Sequence, residues 1–267
     1  MHKMWPAAAI VAALLPVPAT AQDLREFCGD RPGLSTPACT VDPGHLQVEL
    51  GLGDWTLDKQ PDSRTDTVLA GDLQLRYGIG DTTELRLGWT ALGHERVRDR
   101  MTGTIEHATR TGDVTVGIKQ NLHNPDGKGF SIAVLPFASL PVGRQPIGAG
   151  TWGVGVLVPI EYELTDGLQL QLTPEIDAKP DEDGNGRHLA YSNVVGLDVG
   201  LTKSLELDLE LQAIRDREPE GHQTMALAGV ALDYVVAERT QFDIGSTAAL
   251  NRNTPDVEVY FGISRKF

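Results

Sequence analysis

Apolar and polar residues alternate with a period of two along most of the chain after residue 45. The clearest stretches are Leu46–Leu52, Leu69–Tyr77 and Leu205–Leu211. The same alternation recurs at 85–89, 114–122, 152–164, 168–172, 242–250 and 257–267, and less regularly at 130–140, 188–201 and 223–236. Because successive side chains of an extended chain point to opposite faces, this period predicts β-strands with one apolar face rather than helices.

The links between these stretches alternate in length. Short links lie at 78–81, 124–129, 165–167, 202–204 and 237–239, and longer polar links lie at 56–66, 93–111, 141–150, 177–187, 214–222 and 251–255. Hairpins that run between a periplasmic side with tight turns and an external side with long loops show this pattern. We therefore predict an all-β fold: a single antiparallel transmembrane β-barrel of about 12 strands, with both termini on the periplasmic side.

The first residues have the features of a cleaved signal peptide. Lys3 supplies a positive charge, Ala7–Leu15 is apolar, and Ala19–Ala21 is a small-x-small cleavage signal. The apolar run is far shorter than the ~20 residues that a spanning helix needs. We predict three regions: a signal peptide at 1–21, a periplasmic N-terminal segment at 22–42 and an outer-membrane barrel at 43–267.

The periplasmic segment holds both cysteines, Cys28 and Cys39. In an oxidising compartment such a pair is expected to form a disulfide. A metal site is the less favoured alternative, since only His45 lies nearby as a further ligand.

The C-terminal stretch Val257–Phe267 is apolar at alternate positions and ends on an aromatic residue. It is similar to the C-terminal strand by which the barrel assembly machinery recognises outer-membrane proteins, although Arg265 stands where an apolar residue is usual. The sequence therefore predicts residence in the outer membrane of a Gram-negative bacterium, with membrane lipid and the assembly machinery as partners.

The charged residues of the chain predict a lumen lined mainly by carboxylates. The chain has 37 acidic and 23 basic residues, a formal charge of −14, which argues against a nucleic-acid partner. If the apolar residues face lipid, the opposite face forms the pore lining, with these candidates: Glu49, Asp72, Arg76, Glu84, Arg86, Asp113, Lys119, Glu206, Asp208, Glu210, Asp243 and Glu258. About 12 strands enclose a backbone diameter of about 24 Å, which leaves roughly 10 Å between side chains. Excess carboxylates would favour cations; alternatively, the charges pair and fill the interior.

Two other groups of residues are candidates for a calcium site and for a hydrolase site. Asp181, Asp183 and Asn185 reproduce the first half of a calcium-binding loop, but Ser192 stands where the closing glutamate should be, so a polar turn is the favoured interpretation. His188 and Ser192 lie close in sequence, as a lipid hydrolase would need, yet a strand separates them by about 13 Å. We predict no catalytic residue and no cofactor.

Glycine- and proline-rich motifs carry a family resemblance. They are Gly112–Lys119, Leu135–Gly143 and Gly148–Gly150. They resemble a family of outer-membrane transporters named for the meta-cleavage pathway of phenol degradation, over residues 43–267. The resemblance implies a barrel that moves small molecules, without an established substrate or catalytic residues.

The sequence thus predicts a porin-like channel for passive passage of small solutes, with an acidic lumen that would favour cations. A non-conducting barrel that acts through its external loops is the alternative, and an outer-membrane lipid hydrolase is a third.

Overall fold

The computed structural model describes residues 24–267, so the predicted signal peptide lies outside the described residues. These residues form strands, turns and irregular segments without an α-helix. The strands are β1 (Leu46–Lys59), β2 (Ser63–Gly80), β3 (Thr83–Asp99), β4 (Ile105–Arg110), β5 (Val114–His123), β6 (Phe130–Leu140), β7 (Gly153–Leu157), β8 (Ile160–Thr165), β9 (Leu168–Pro180), β10 (Arg187–Gly200), β11 (Leu205–Asp216), β12 (Gln223–Val236), β13 (Thr240–Ala249) and β14 (Val257–Lys266).

These strands close into an antiparallel barrel. Strands pair with their neighbours in chain order, except that β4 does not pair with β5 and β7 does not pair with β8, and β1 pairs with β14, with Leu50 opposite Ile263. Two positions around the barrel are each filled by two short strands: β4 and β5 both pair with β3, and β7 and β8 both pair with β9. Twelve strand positions therefore complete the circumference, as the alternation of the sequence predicts.

The break between β7 and β8 falls at Val158–Pro159. Proline has no N–H to donate, and it is tolerated in a sheet mainly where the ladder is already interrupted. The carbonyl of Pro159 still accepts a hydrogen bond of 2.9 Å from the Ala133 amide, which keeps this part of the wall attached to β6.

Two predicted loops are largely strand. The link at 56–66 contains only a three-residue turn between β1 and β2, and the link at 93–111 contains the end of β3 and all of β4. Both stretches are polar on their two faces, so their alternation does not show in an apolar pattern. Threonine and valine favour strands there, as in Thr65, Thr67 and Val97, and the hairpins continue beyond the apolar band.

Burial is inverted relative to a water-soluble protein. Large apolar side chains such as Leu85, Val230 and Phe261 are exposed on the outer face, whereas Glu49, Arg76 and Lys119 are completely buried within the barrel. The outer face therefore matches a lipid environment, and the barrel interior holds the charge. The part of the chain that the structure describes contains no helix with the length and hydropathy to cross a membrane.

Both ends of the described chain meet at one end of the barrel, here called the terminal end; the opposite end is the distal end. The Phe267 amide donates a 2.8 Å hydrogen bond to the Leu46 carbonyl, which places the last residue beside the first strand. The side chain of Phe267 is exposed. The long loops 141–152, 181–186, 217–222 and 250–256 lie at the distal end.

Candidate functional site

The lumen contains part of the chain itself. Residues 24–45, here called the inner segment, precede β1 and run inside the barrel from the terminal end. Cys28 and Cys39 form the predicted disulfide within it. The segment contacts side chains of β1, β2, β3, β5, β9, β11, β13 and β14, so it spans the width of the lumen.

A network of buried charges holds one side of the inner segment. We call it the anchor cluster; it consists of Asp30, Glu49, Arg76, Glu84, Arg86 and Lys119. Arg76 is central: its Nε lies 2.9 Å from Glu84 Oε1, and its Nη1 lies 3.3 Å from Glu49 Oε1. Asp30 of the inner segment contacts Arg76 at 3.2 Å and forms an ion pair with Arg86.

The bases of the anchor cluster also bind backbone of the inner segment. Arg76 donates to the Cys28 carbonyl at 2.8 Å, and Lys119 donates to the Pro37 and Cys39 carbonyls at 2.9 and 3.0 Å. These guanidinium and ammonium groups replace their lost water with charged and carbonyl acceptors, which is the condition for keeping a buried charge. The cluster therefore fixes the position of the segment.

The opposite wall holds the inner segment by fewer contacts. Glu210 of β11 accepts hydrogen bonds from the Leu34 and Ser35 amides at 2.7 and 2.8 Å. Arg31 donates to Asp243 of β13 at 2.9 Å. It passes close to β14 at Gly262, where a Cβ would lie 2.5 Å from the Arg31 Nε, so a larger residue would clash there.

Arg31 stays charged in this position. Burial lowers the pKa of its guanidinium, but the hydrogen bond to Asp243 and the negative charges of Asp243, Asp72 and Glu49 together raise it by more, so the pKa lies above its ordinary value. The Arg31–Asp243 pair is thus a permanent ionic contact between the inner segment and β13.

A cavity of about 1000 Å³ lies between the inner segment and the wall on the β9–β13 side. Four carboxylates, here called the acidic wall, face it: Asp198, Glu206, Asp208 and Asp233. One carboxylate oxygen from each of Glu206, Asp208 and Asp233 lies within 4.8 Å of the others. Unlike the anchor cluster, these groups make no ion pair among the described residues. The acidic wall therefore concentrates carboxylates on one side of the cavity.

The other predicted pore residues lie at different depths. Asp72 is exposed towards the distal half of the lumen and accepts a hydrogen bond from Thr90 at 2.8 Å. Glu258 accepts one from Thr247 at 3.2 Å. Asp113 does not line the barrel in a strand; it precedes β5 and accepts the Gly143 and Ala149 amides at 2.8 and 2.7 Å, which holds the loop 141–152 in place.

Several residues of the site cannot be identified from strand alternation. Asp30 and Arg31 belong to an irregular segment with no period. Asp198 and Asp233 lie in strands whose sequence, 188–201 and 223–236, alternates poorly. Val194 and Val195 are adjacent in the first, and Ala and Gly occupy four positions of the second. Each pairs across the ladder with a predicted acid, Asp198 with Asp208 and Asp233 with Asp243, so correct register alone would have found them.

The calcium-like loop and the candidate hydrolase residues lie near each other in β10 and the loop before it. In the loop 181–186, the Asp183 carboxylate accepts the Asn185 amide at 2.7 Å, whereas Asp181 faces His188 at 2.8 Å; calcium binding there stays a prediction. Within residues 24–267, the Ser192 hydroxyl hydrogen-bonds only to Glu175, at 3.3 Å, and has no histidine beside it. His188 contacts three carboxylates instead.

Solved structures with a similar fold are outer-membrane barrels. The COG4313 outer membrane channel from Pseudomonas putida F1 superposes with a TM-score of 0.70 at 15% identity, covering 88% of this chain and 99% of that one. The NanC porin gives a TM-score of 0.51 at 12% identity, covering 83% and 100%. The translocator domain of the autotransporter NalP from Neisseria meningitidis gives 0.51 at 13% identity, covering 84% and 88%. At these identities the likeness shows the fold.

No curated protein matches the sequence significantly. A family model does, over residues 29–267, which includes most of the inner segment as well as the whole barrel; its description is "Putative MetA-pathway of phenol degradation". The chain belongs to this family, and its fold is that of an outer-membrane β-barrel.

Proposed function

We propose that this protein is an outer-membrane channel for passive passage of small solutes, with a preference for cations. The observation that carries the proposal is the cavity of about 1000 Å³ inside a barrel with a lipid-facing outer surface, lined by the unpaired acidic wall. Porin-like channels and NanC share the fold. A polar interior in an apolar cylinder is the arrangement that lets water and solutes cross a bilayer.

The preference for cations follows from how the charges are distributed. In the anchor cluster, carboxylates and bases neutralise each other at contact distances of about 3 Å, so they contribute little net field. Within residues 24–267, Asp198, Glu206, Asp208 and Asp233 have no such partners. Rings of carboxylates in a narrow, water-filled passage raise the local concentration of cations and repel anions.

The inner segment would form the constriction of this channel. It crosses the lumen between the anchor cluster and Glu210, so a solute has to pass beside it. The family name refers to phenol degradation. An aromatic solute would have to leave water and pass buried carboxylates with few apolar contacts, and small polar or cationic solutes are therefore the favoured class.

Residence in the outer membrane is part of the proposal. The exposed apolar outer face would contact lipid, and the C-terminal strand ending in Phe267 would be read by the barrel assembly machinery. Expression of the full chain with Phe267→Ser, compared with Phe242→Ser on another strand, tests the second point. Loss of heat-modifiable barrel in the outer membrane only for Phe267→Ser is expected; equal effects would reject a special role for the terminal residue.

Conductance of the refolded mature protein in a planar bilayer, with a salt gradient across it, tests the channel function. We expect discrete current steps and a reversal potential of the sign that cation selectivity requires. Anion selectivity would contradict the role of the acidic wall. Absence of current from heat-modifiable, folded protein would contradict the channel function itself.

The inner segment also favours a second candidate, a non-conducting barrel that acts through its distal loops. Its contacts to eight strands could close the lumen completely. In that case liposomes containing the folded protein would retain small sugars and ions as well as protein-free liposomes do.

A further inference from the structure

A histidine and three carboxylates meet at the distal end, away from the inner segment. Here called the distal cluster, they are Asp181, His188, Asp216 and Glu218. His188 is the second residue of β10, Asp181 immediately follows β9, and Asp216 and Glu218 lie at the end of β11 and just beyond it. The cluster therefore joins the loop 181–186 to the loop 217–222.

The geometry centres on one ring nitrogen. His188 Nδ1 lies 2.8 Å from Asp181 Oδ1 and 3.0 Å from Glu218 Oε2. The side chain of His188 is 95% buried, since only 5% of its surface is exposed. Gly186 makes the approach possible: with φ at 150°, it passes Asp181 where a Cβ would lie 2.2 Å from the carboxylate.

One proton on Nδ1 satisfies the 2.8 Å contact with Asp181 but leaves Glu218 without a donor. Nδ1 carries one hydrogen at most, yet two carboxylate oxygens converge on it from different loops. The ligand atoms of Asp181, His188 and Glu218 all lie within 4.8 Å of one another. Two carboxylates and one imidazole nitrogen around a single point are the donor set of a divalent metal ion.

The other ring nitrogen supports the same interpretation. Nε2 is buried and lies 2.7 Å from Asp216 Oδ1, although the angle gives no hydrogen bond. Asp216 is held in turn by Lys179 at 3.2 Å and by the Glu218 amide at 3.1 Å. A small rotation of the ring would let Nε2–H donate to Asp216, and a carboxylate in that place holds the tautomer that leaves the Nδ1 lone pair for a metal.

Charge balance points in the same direction. Asp181, Asp216 and Glu218 contribute three negative charges, and in the part of the chain that the structure describes Lys179 is the one lysine or arginine that forms an ion pair with them. Arg187 is close in sequence but turns away, stacking 4.2 Å from the Trp152 ring centroid and donating to Thr151. A bound dication would offset the remaining charge.

We propose that Asp181, His188 and Glu218 bind a divalent transition-metal ion, of which Zn²⁺ is the best fit, with Asp216 as the residue that positions His188. The present contacts of 2.8 and 3.0 Å would widen to about 3.3 Å, the separation of ligands around a tetrahedral ion with bonds of ~2.0–2.1 Å. The imidazole disfavours Ca²⁺ and Mg²⁺, which select oxygen ligands. The ion would tie two distal loops together at the mouth of the barrel.

Titration of the refolded mature protein in detergent micelles with ZnCl₂, followed by isothermal calorimetry, tests the site. We expect one saturable equivalent of Zn²⁺ in the unaltered protein. His188→Gln and Glu218→Gln should each remove it, and Asp216→Asn should weaken it by about 10–100-fold. His222→Gln is the matched control, because His222 is an exposed histidine next to the same loop and should leave binding unchanged.

Further variants separate this site from the calcium loop. Asp183→Asn, which removes a carboxylate outside the distal cluster, should leave Zn²⁺ binding unchanged. Co²⁺ gives a second readout that needs no variant: ligand-field absorption with a nitrogen ligand is expected on binding to the unaltered protein. Absence of saturable Zn²⁺ binding by folded protein, or equal binding by the His188→Gln and His222→Gln variants, would overturn the proposal.

Discussion

The two halves of the inner wall carry buried charge in different ways. On the β1–β5 side, acids and bases are interleaved, and each is paired within the anchor cluster. On the β10–β12 side, the carboxylates of the acidic wall face a cavity without a basic partner among the described residues. In the first half the charged groups form ion pairs and hydrogen bonds that hold the inner segment. In the second half the carboxylates are free to interact with a solute.

This contrast separates structural charge from functional charge. A buried ion pair that loses one partner leaves an uncompensated charge, so residues of the anchor cluster cannot be altered singly without a large effect. The carboxylates of the acidic wall have no basic partner among the described residues, so replacing them by amides breaks no ion pair. Stability and selectivity should therefore respond to substitutions on opposite sides of the lumen.

The largest effect is expected from Arg76→Met. The substitution keeps much of the volume but leaves Glu49 and Glu84 without their guanidinium partner, and it removes the hydrogen bonds to the Cys28 and Cys39 carbonyls. Loss of one partner from a buried pair costs about 3–5 kcal/mol. We expect that decrease in the free energy of unfolding, measured with urea in lipid vesicles, together with larger current steps as the inner segment loosens.

Arg64→Met is the control for this variant. Arg64 also forms an ion pair, at 2.8 Å from Asp66, but its side chain is 42% exposed. An exposed pair contributes at most about 1 kcal/mol, and usually less. Similar losses for the two variants would contradict the role of the anchor cluster.

A smaller effect is expected from opening the disulfide. The bond closes a loop with a sequence separation of 11 within the inner segment, and such a crosslink contributes about 2–3 kcal/mol by restricting the unfolded chain. Replacing Cys28 and Cys39 by serine should lower the free energy of unfolding by no more than this. The anchor cluster still holds the segment, so single-channel current should fluctuate more while its mean changes little.

Reducing agent provides the matched test of that variant. It should reproduce the extra current noise in the unaltered protein and have no effect on the serine variant. If reduction instead releases the full current step expected for Arg76→Met, the disulfide and not the anchor cluster is the main restraint on the inner segment.

The sequence predicts the strands of the barrel wall far better than the path of the inner segment inside the lumen. The period of two assigns inner and outer faces to residues such as Glu206 and Leu207, because strand geometry alone determines where each side chain points. Glu49 and Glu210 also accept backbone amides of the inner segment, whose irregular path depends on long-range contacts rather than on a local pattern. Local pattern therefore identifies a charged lumen but cannot say which charges are paired.

The same limit applies at the distal end. His188 and Ser192 share a strand, so their separation follows from the sequence, but Glu218 reaches His188 from another hairpin. That contact depends on the register of β10 with β11 and on the shape of two loops. The calcium-like motif singles out Asp181 because of the residues that follow it in sequence. In the structure the Asp181 carboxylate contacts His188 instead.

The smallest effect on stability is expected from the triple variant Glu206→Gln, Asp208→Asn, Asp233→Asn. It removes three carboxylates from the acidic wall while keeping side-chain shape, and relief of mutual repulsion should leave the free energy of unfolding unchanged or slightly higher. The preference for cations should fall roughly fivefold, equivalent to about 1 kcal/mol. The reversal potential in a salt gradient measures it.

Asp166→Asn is the control for the triple variant. Asp166 is an exposed acid in the turn between β8 and β9, and replacing it should leave the reversal potential unchanged. An unchanged reversal potential in the triple variant as well would mean that solutes do not pass the acidic wall. Selectivity would then have to arise elsewhere in the lumen, for example at Asp72 and Glu258, and substitution of those two residues should shift the potential instead.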